Sequence, residues 1–335
     1  MLTAFGLLLV LFCSWLMTWC LRRYALARNV LDVPNVRSSH KAPVPRGGGM
    51  AIVISCSLAM LVLATLGWLA PSHLWAMLGA GGLVALVGFL DDHRPVAARW
   101  RLLAHFIAAA WGLFWLGGLP ELSVFGEHVE LGWLGVPLGA LYLVWLLNLY
   151  NFMDGIDGIA AVEAVSVCSA GALFYAFLGA WYLALLPMVL ALSCVGFLIW
   201  NFPPARIFMG DAGSGYLGIL LGLLSLQAAM LKPQLFWAWL VMLGVFVVDA
   251  SLTLLRRILR GESPHQAHRS HAYQFASRKF GAHLPVTLTV ALINICWLLP
   301  LSLWIVFGGD GFAITLLAYA PLVALAVKFR AGLAE

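Results

Sequence analysis

Apolar positions in this chain neither alternate nor form one-sided stripes. They run on for about twenty residues at a time, the length that crosses a bilayer as a helix. Helices that are apolar all round belong in a membrane or a deep core. Eleven such runs lie near residues 2–21, 49–69, 74–90, 102–119, 132–149, 159–179, 181–200, 213–230, 235–255, 284–307 and 312–327. They predict an all-α polytopic membrane protein, with residues 1–335 as a single integral-membrane domain. The first run has neither a basic leader nor a small-residue cleavage site. It is therefore expected to be a membrane helix rather than a removable signal peptide.

Composition narrows the picture. With 63% hydrophobic and 10% charged residues, the chain cannot make the polar surface of a soluble domain. The six cysteines all fall inside apolar runs with no C-x-x-C pair, which argues against a disulfide framework or a zinc site. The net charge of +5 gains meaning from its placement. If the N-terminus faces the periplasm, eighteen of the nineteen Lys and Arg fall in gaps on the other side, and only Lys232 falls outside. The positive-inside rule then predicts a bacterial inner-membrane protein with a periplasmic N-terminus and a cytosolic C-terminus. Cations so distributed suit a lipid bilayer and no nucleic acid.

The acids follow the same geography. Asn148, Asn151, Asp154 and Asp157 stand with Gly155 and Gly158 where an apolar run ends. Carboxylates this costly near hydrocarbon mark an ion, a substrate or a proton path. A helical start would put Asp154 and Asp157 on one face, although an N-cap and turn would explain one of them. Asp91 and Asp92 end the third run, and adjacent carboxylates need a cation or positive groups nearby. Hard oxygen donors of this kind suit Mg²⁺, or Mn²⁺, with phosphate completing the shell. Gly210-Asp211-Ala212-Gly213-Ser214-Gly215 opens the eighth run like an anion-binding turn at a helix N-terminus, or simply as a helix cap. It lacks the Lys-Ser/Thr ending of a nucleotide-hydrolysing loop.

Two basic loops share that predicted face. Residues 34–49 are broken by Pro and Gly and carry His40 and Arg46; residues 256–283 carry His265, His268, Arg269 and His271. Attraction to anionic headgroups accounts for the arginines. Histidines three apart point to phosphate contact or proton movement. Asp249 and Glu163, inside apolar runs, receive no role from spacing alone. A transporter or channel would also bury acids, but near the midplane and reachable from both sides.

In this order, Asp91-Asp92, Asn148-x-x-Asn151-x-x-Asp154-Gly-x-Asp157-Gly, Phe208-Met-Gly-Asp211-x-Gly-Ser and a late His loop resemble the polyprenyl-phosphate N-acetylhexosamine-1-phosphate transferases of glycosyltransferase family 4. The resemblance spans nearly the whole chain, and the eleven-run layout is similar to the O-antigen-initiating branch. It implies transfer of a sugar 1-phosphate from a UDP-N-acetyl amino sugar to undecaprenyl phosphate, with release of UMP and a need for Mg²⁺. By motif match, Asp211 would hold the metal, with Asp92 a further ligand. Asp91 and Asp92 would orient or deprotonate the lipid phosphate. Asn148, Asn151, Asp154 and Asp157 would shape the donor site, and His271 would contact phosphate. His40, Arg46, His268 and Arg269 are the remaining candidate substrate contacts, and a homodimer is left open. Many relatives carry Asp-Arg-x-His-x-His in the last loop, where this chain has His268 for the Asp and Tyr273 for the second His. That departure points to donors such as N-acetylfucosamine or N-acetylquinovosamine beside N-acetylglucosamine, and away from the triple-His peptidoglycan enzyme.

Overall fold

The structure, a computed structural model, describes residues 2–34, 42–262 and 268–333. Every predicted apolar run is a helix or a broken helix. In chain order these are α1 (Leu2–Ala27), α2 (Met50–Thr65), α3 (Pro71–His93), α4 (Ala98–Leu116), α5 (Gly135–Met153), α6 (Ile159–Phe177), α7 (Trp181–Asn201) and α8 (Asp211–Leu231). After them come α9 (Gln234–Met242), α10 (Gly244–Leu259), α11 (Ala272–Phe280), α12 (Leu284–Ile293), α13 (Leu299–Val306) and α14 (Gly311–Lys328). Among the described residues, eight helical segments are long and apolar enough to cross a membrane, and the α9–α10 pair makes a ninth if counted as one span. α2, with 16 residues, and α4, with Arg99 and Arg101 at its start, are not among them. The chain is an all-α, multi-pass membrane protein.

Two predicted runs are interrupted. The run at 235–255 is bent by 75° between α9 and α10, so it is not one straight span. The run at 284–307 contains a π-helical turn at Asn294–Leu298 between α12 and α13. Two-stranded ribbons complete the chain: β1 (Leu31–Asp32) pairs with β2 (Val44–Pro45), and β3 (Leu122–Val124) with β4 (Glu127–Val129).

α8 is the centre of the molecule, with α2, α3, α4, α5, α6 and α9 all packed against it. Its glycines let neighbours come close, as helix packing in lipid requires. A Cβ on Gly218 would lie 2.6 Å from the Leu147 Cα of α5. α3 and α5 end beside the start of α8, and this junction builds the site. α10 and α11 lie near it, held in part by the C-terminal segment, where Gly332 N–H donates to Ser270 O at 2.7 Å and Arg256 Nη1 to Ala331 O at 2.8 Å.

Candidate active site

Asp92 lies in the last turn of α3, where the helix dipole disfavours a carboxylate. The start of α8 compensates. Asp211 N–H donates to Asp92 Oδ1 at 3.1 Å and Ala212 N–H to Oδ2 at 3.4 Å. Arg46 closes the arrangement with its Nε on Oδ1 at 2.9 Å and a second contact from Nη2. The Asp92 side chain is only 1% exposed. Gly210 permits this approach: it has φ +80°, and a Cβ there would stand 2.5 Å from Asp92 Oδ2. The expected anion-binding turn is therefore occupied from within, because the first N–H groups of α8 already face Asp92. Gly48 and Gly49 N–H are likewise taken, by Phe208 O and Met209 O at 2.9 Å each.

Asp91 and Asp211 are held less completely. Asp91 Oδ1 accepts from Val96 N–H at 2.6 Å, and Arg101 Nη1 bridges Asp91 Oδ2 to Asp211 Oδ2, the latter at 3.4 Å. The two carboxyls lie within hydrogen-bonding reach of each other. Carboxylates that close require a shared proton or a cation.

Asp154 ends α5 and points the same chemistry at the cluster. Among the described residues its carboxyl accepts no hydrogen bond. Burial pushes it up to about 7, and the carboxylates of Asp211, Asp92 and Asp157 add to the push while Arg46 opposes it. Asp154 and Asp157 do not share a helical face. Residues 154–158 form a turn, and α6 starts only at Ile159, after Gly158 at φ +76°. Asp157 turns away to accept Ala205 N–H at 3.0 Å and to pair with His283 Nδ1 at 3.1 Å. Asn151 Oδ1 accepts from Ser214 Oγ at 2.8 Å, tying α5 to α8. Asn148, one turn deeper, donates to Val144 O at 2.7 Å beside His105 of α4.

The late loop reaches the same turn from the other side. His271 is the N-cap of α11 and buried, 3.3 Å from Asp249 Oδ1. Asp249 also accepts Ala272 and Tyr273 N–H at 2.9 and 3.0 Å. The Tyr273 hydroxyl donates to Phe152 O at 2.9 Å and covers Gly155. His268 stacks near His271 with ring centres 4.8 Å apart, and Arg269 O accepts from Arg278. His40 and His265 lie outside the described residues.

The structure thus joins Asp91, Asp92, Asp154 and Asp211 with Arg46, and sets Asn151, Asp157 and His271 around them in supporting contacts. Sequence reasoning missed Arg101 as the bridge, His283 as the partner of Asp157, and Asp249 as the acid that caps α11. Only Asp249 left a signal, as a charge within an apolar run. Among the described residues no three His, Cys, Asp or Glu side chains alone form a metal cage. The paired hard oxygens of Asp91 and Asp211 nevertheless fit Mg²⁺, which commonly keeps water and takes substrate phosphate as further ligands.

Residues 74–229 match the family model described as glycosyl transferase family 4. That stretch holds all four clustered acids, while Arg46 and His271 lie outside it. A probable undecaprenyl-phosphate N-acetylglucosaminyl 1-phosphate transferase of Bacillus subtilis is 29% identical over 83% of this chain and 78% of its own. A phospho-N-acetylmuramoyl-pentapeptide-transferase of Moorella thermoacetica is 36% identical over 64% of this chain and 70% of its own. An undecaprenyl-phosphate alpha-N-acetylglucosaminyl 1-phosphate transferase of Thermotoga maritima is 27% identical over 86% of this chain and 87% of its own.

Proposed function

Because the chain belongs to glycosyl transferase family 4, we propose that it transfers an N-acetylated amino sugar 1-phosphate from a UDP-sugar to undecaprenyl phosphate, releasing UMP. The observation that carries this reading is the gathering of Asp91, Asp154 and Asp211 with Arg46 and Arg101 at one end of the membrane helices. Phosphoryl transfer needs charge neutralisation and positioning more than a strong nucleophile. An oxygen of the lipid phosphate forms a bond to the sugar-bearing phosphorus. The bond from that phosphorus to the bridging oxygen breaks, and UMP leaves with the oxygen.

Asp211 and Asp91 would hold Mg²⁺ (or Mn²⁺), which supplies neutralisation of the diphosphate. Arg101 contacts both acids and Arg46 stands 4.0 Å from Asp211; both would bind phosphate oxygens. Asp92 orders the start of α8 and aims Arg46. Asp154, whose oxygens have no hydrogen-bond partner among the described residues, is placed to take a proton from the lipid phosphate. The relatives' names support sugar-phosphate transfer to a polyprenyl phosphate. The finer reading is initiation of O-antigen or a related surface polysaccharide on the cytosolic face of the inner membrane. Tyr273 and His268, in place of the residues common in the family, favour N-acetylfucosamine or N-acetylquinovosamine donors over N-acetylglucosamine.

The test uses purified protein, undecaprenyl phosphate, Mg²⁺ and a panel of UDP-N-acetyl sugars, with the muramoyl-pentapeptide donor included. UMP and a lipid-linked sugar are expected from one amino-sugar donor. No product from any donor would overturn the proposal. Asp211→Asn should lower turnover on the order of a hundredfold or more and weaken the Mg²⁺ dependence.

A further inference from the structure

Glu163 takes no part in the cluster, yet it is the most costly side chain in α6. It lies about 6 Å along the helix from Ile159, fully buried among apolar neighbours. Asn294, also fully buried, donates from Nδ2 to Glu163 Oε2 at 2.7 Å. The other oxygens of this pair, Glu163 Oε1 and Asn294 Oδ1, are buried with no hydrogen-bond partner. No cation reaches Glu163 among the described residues.

An ionised carboxylate here would have one neutral donor and no counter-charge, an expensive state in an apolar interior. A carboxylic acid has one O–H to donate, and Asn294 Oδ1 is an acceptor that lacks a donor. A single proton therefore satisfies both orphaned oxygens.

The pair has a second partner in geometry. α6 and α12 run in the same direction, and at their starts Asp157 meets His283 while Thr287 Oγ1 donates to Asp157 O at 2.8 Å. From Asp157 to Glu163 is six residues and from Thr287 to Asn294 seven, so the two contacts follow one another in the same order and at similar spacing along both segments. Asn294 opens the π-helical turn, the irregular segment of that span, and such turns recur near functional sites.

We propose that Glu163 and Asn294 form a neutral carboxylic acid–carboxamide pair, hydrogen-bonded in both directions, that sets the register of α12 on α6 and so positions the turn carrying Asp154. Glu163 is a positioning residue and touches no substrate. The kinetic part of this proposal rests on the transferase reading; the spectroscopic part does not.

Infrared spectra of the full chain in lipid nanodiscs should show the carbonyl band of a protonated, hydrogen-bonded carboxylic acid at neutral pH, shifted in D₂O and missing in Glu163→Gln. Absence of that difference overturns the neutral pair. The Gln amide can donate to Asn294 Oδ1, so Glu163→Gln should keep kcat within about twofold, while Glu163→Ala should lose on the order of tenfold to a hundredfold with little change in KM. If Glu163→Ala, measured per folded molecule, keeps the wild-type kcat, the positioning role is overturned. If Glu163→Ala does not fold, retained turnover in Glu163→Gln supports the pair, and loss of turnover there overturns it.

Discussion

Asp92 and Asp154 belong to one acidic cluster and are held in opposite ways. Asp92 gives its oxygens to the first N–H groups of α8 and to Arg46, whereas Asp154 gives its carboxyl to no described donor. Asp154→Asn should therefore leave the melting temperature in detergent unchanged while cutting UMP release on the order of a hundredfold or more. Asp92→Ala should cost about 1–2 kcal/mol of stability through the lost cap, read as a lower melting temperature. His268 gives a pH signature. Burial, then electrostatic interaction with His271 and Arg257, lowers it from 6.5 to about 3. The unfolded chain then binds the extra proton between those values, so this contribution is complete above pH 6.5 and is lost as pH falls below it. Thermal melts of the wild type should decline toward pH 5 more steeply than those of His268→Gln. The acids were legible in the sequence because charge at the end of an apolar run is costly. Their partners were not: Arg101 lies 110 positions from Asp211, and His283 lies 126 from Asp157. No local spacing encodes such pairs.

Helices were the most legible elements, since each apolar run became a helix or a broken helix. Their interruptions were not. A run that is apolar throughout signals burial but carries nothing about direction, so the 75° bend after Met242 and the π-helical turn at Asn294 left no trace. At 154–158 a helical start and a cap with a turn were both open; the structure has the turn, and α6 begins after Gly158 at Ile159, where the apolar run begins. The glycine before α8 was visible but its neighbour was not: Gly210 admits the Asp92 carboxylate. Gly210→Ala tests this at the α3–α8 junction. The substitution forces a side chain onto φ +80° and into Asp92 Oδ2. It should cost about 1–3 kcal/mol for the backbone alone, with a lower melting temperature and loss of turnover together. Gly82→Ala, with open space around the added methyl, should do neither.

At the scale of the whole molecule, the acids gather at the end of the bundle where the basic loops were expected, while β3 and β4 lie toward the other end, with Ser123 O accepting from Trp237 Nε1. The charge asymmetry of the sequence predicts which end faces the cytosol. A single cysteine placed near Lys232, in a chain with its six native cysteines replaced, should react with a membrane-impermeant maleimide in intact spheroplasts. One placed near Arg260 should react only after lysis; the reverse pattern would invert the assignment. The central position of α8 bears on how the protein is made. A ribosome delivers α2 to α6 to the membrane before the helix they pack against exists, and Asp92 waits 119 positions for the N–H it will cap. Until α8 arrives, the surfaces that receive it, Gly88 of α3 and Leu147 of α5 among them, lack the helix they pack against in the finished fold. Synthesis that stalls before residue 231 would leave a ring without its axle, a natural substrate for membrane quality control.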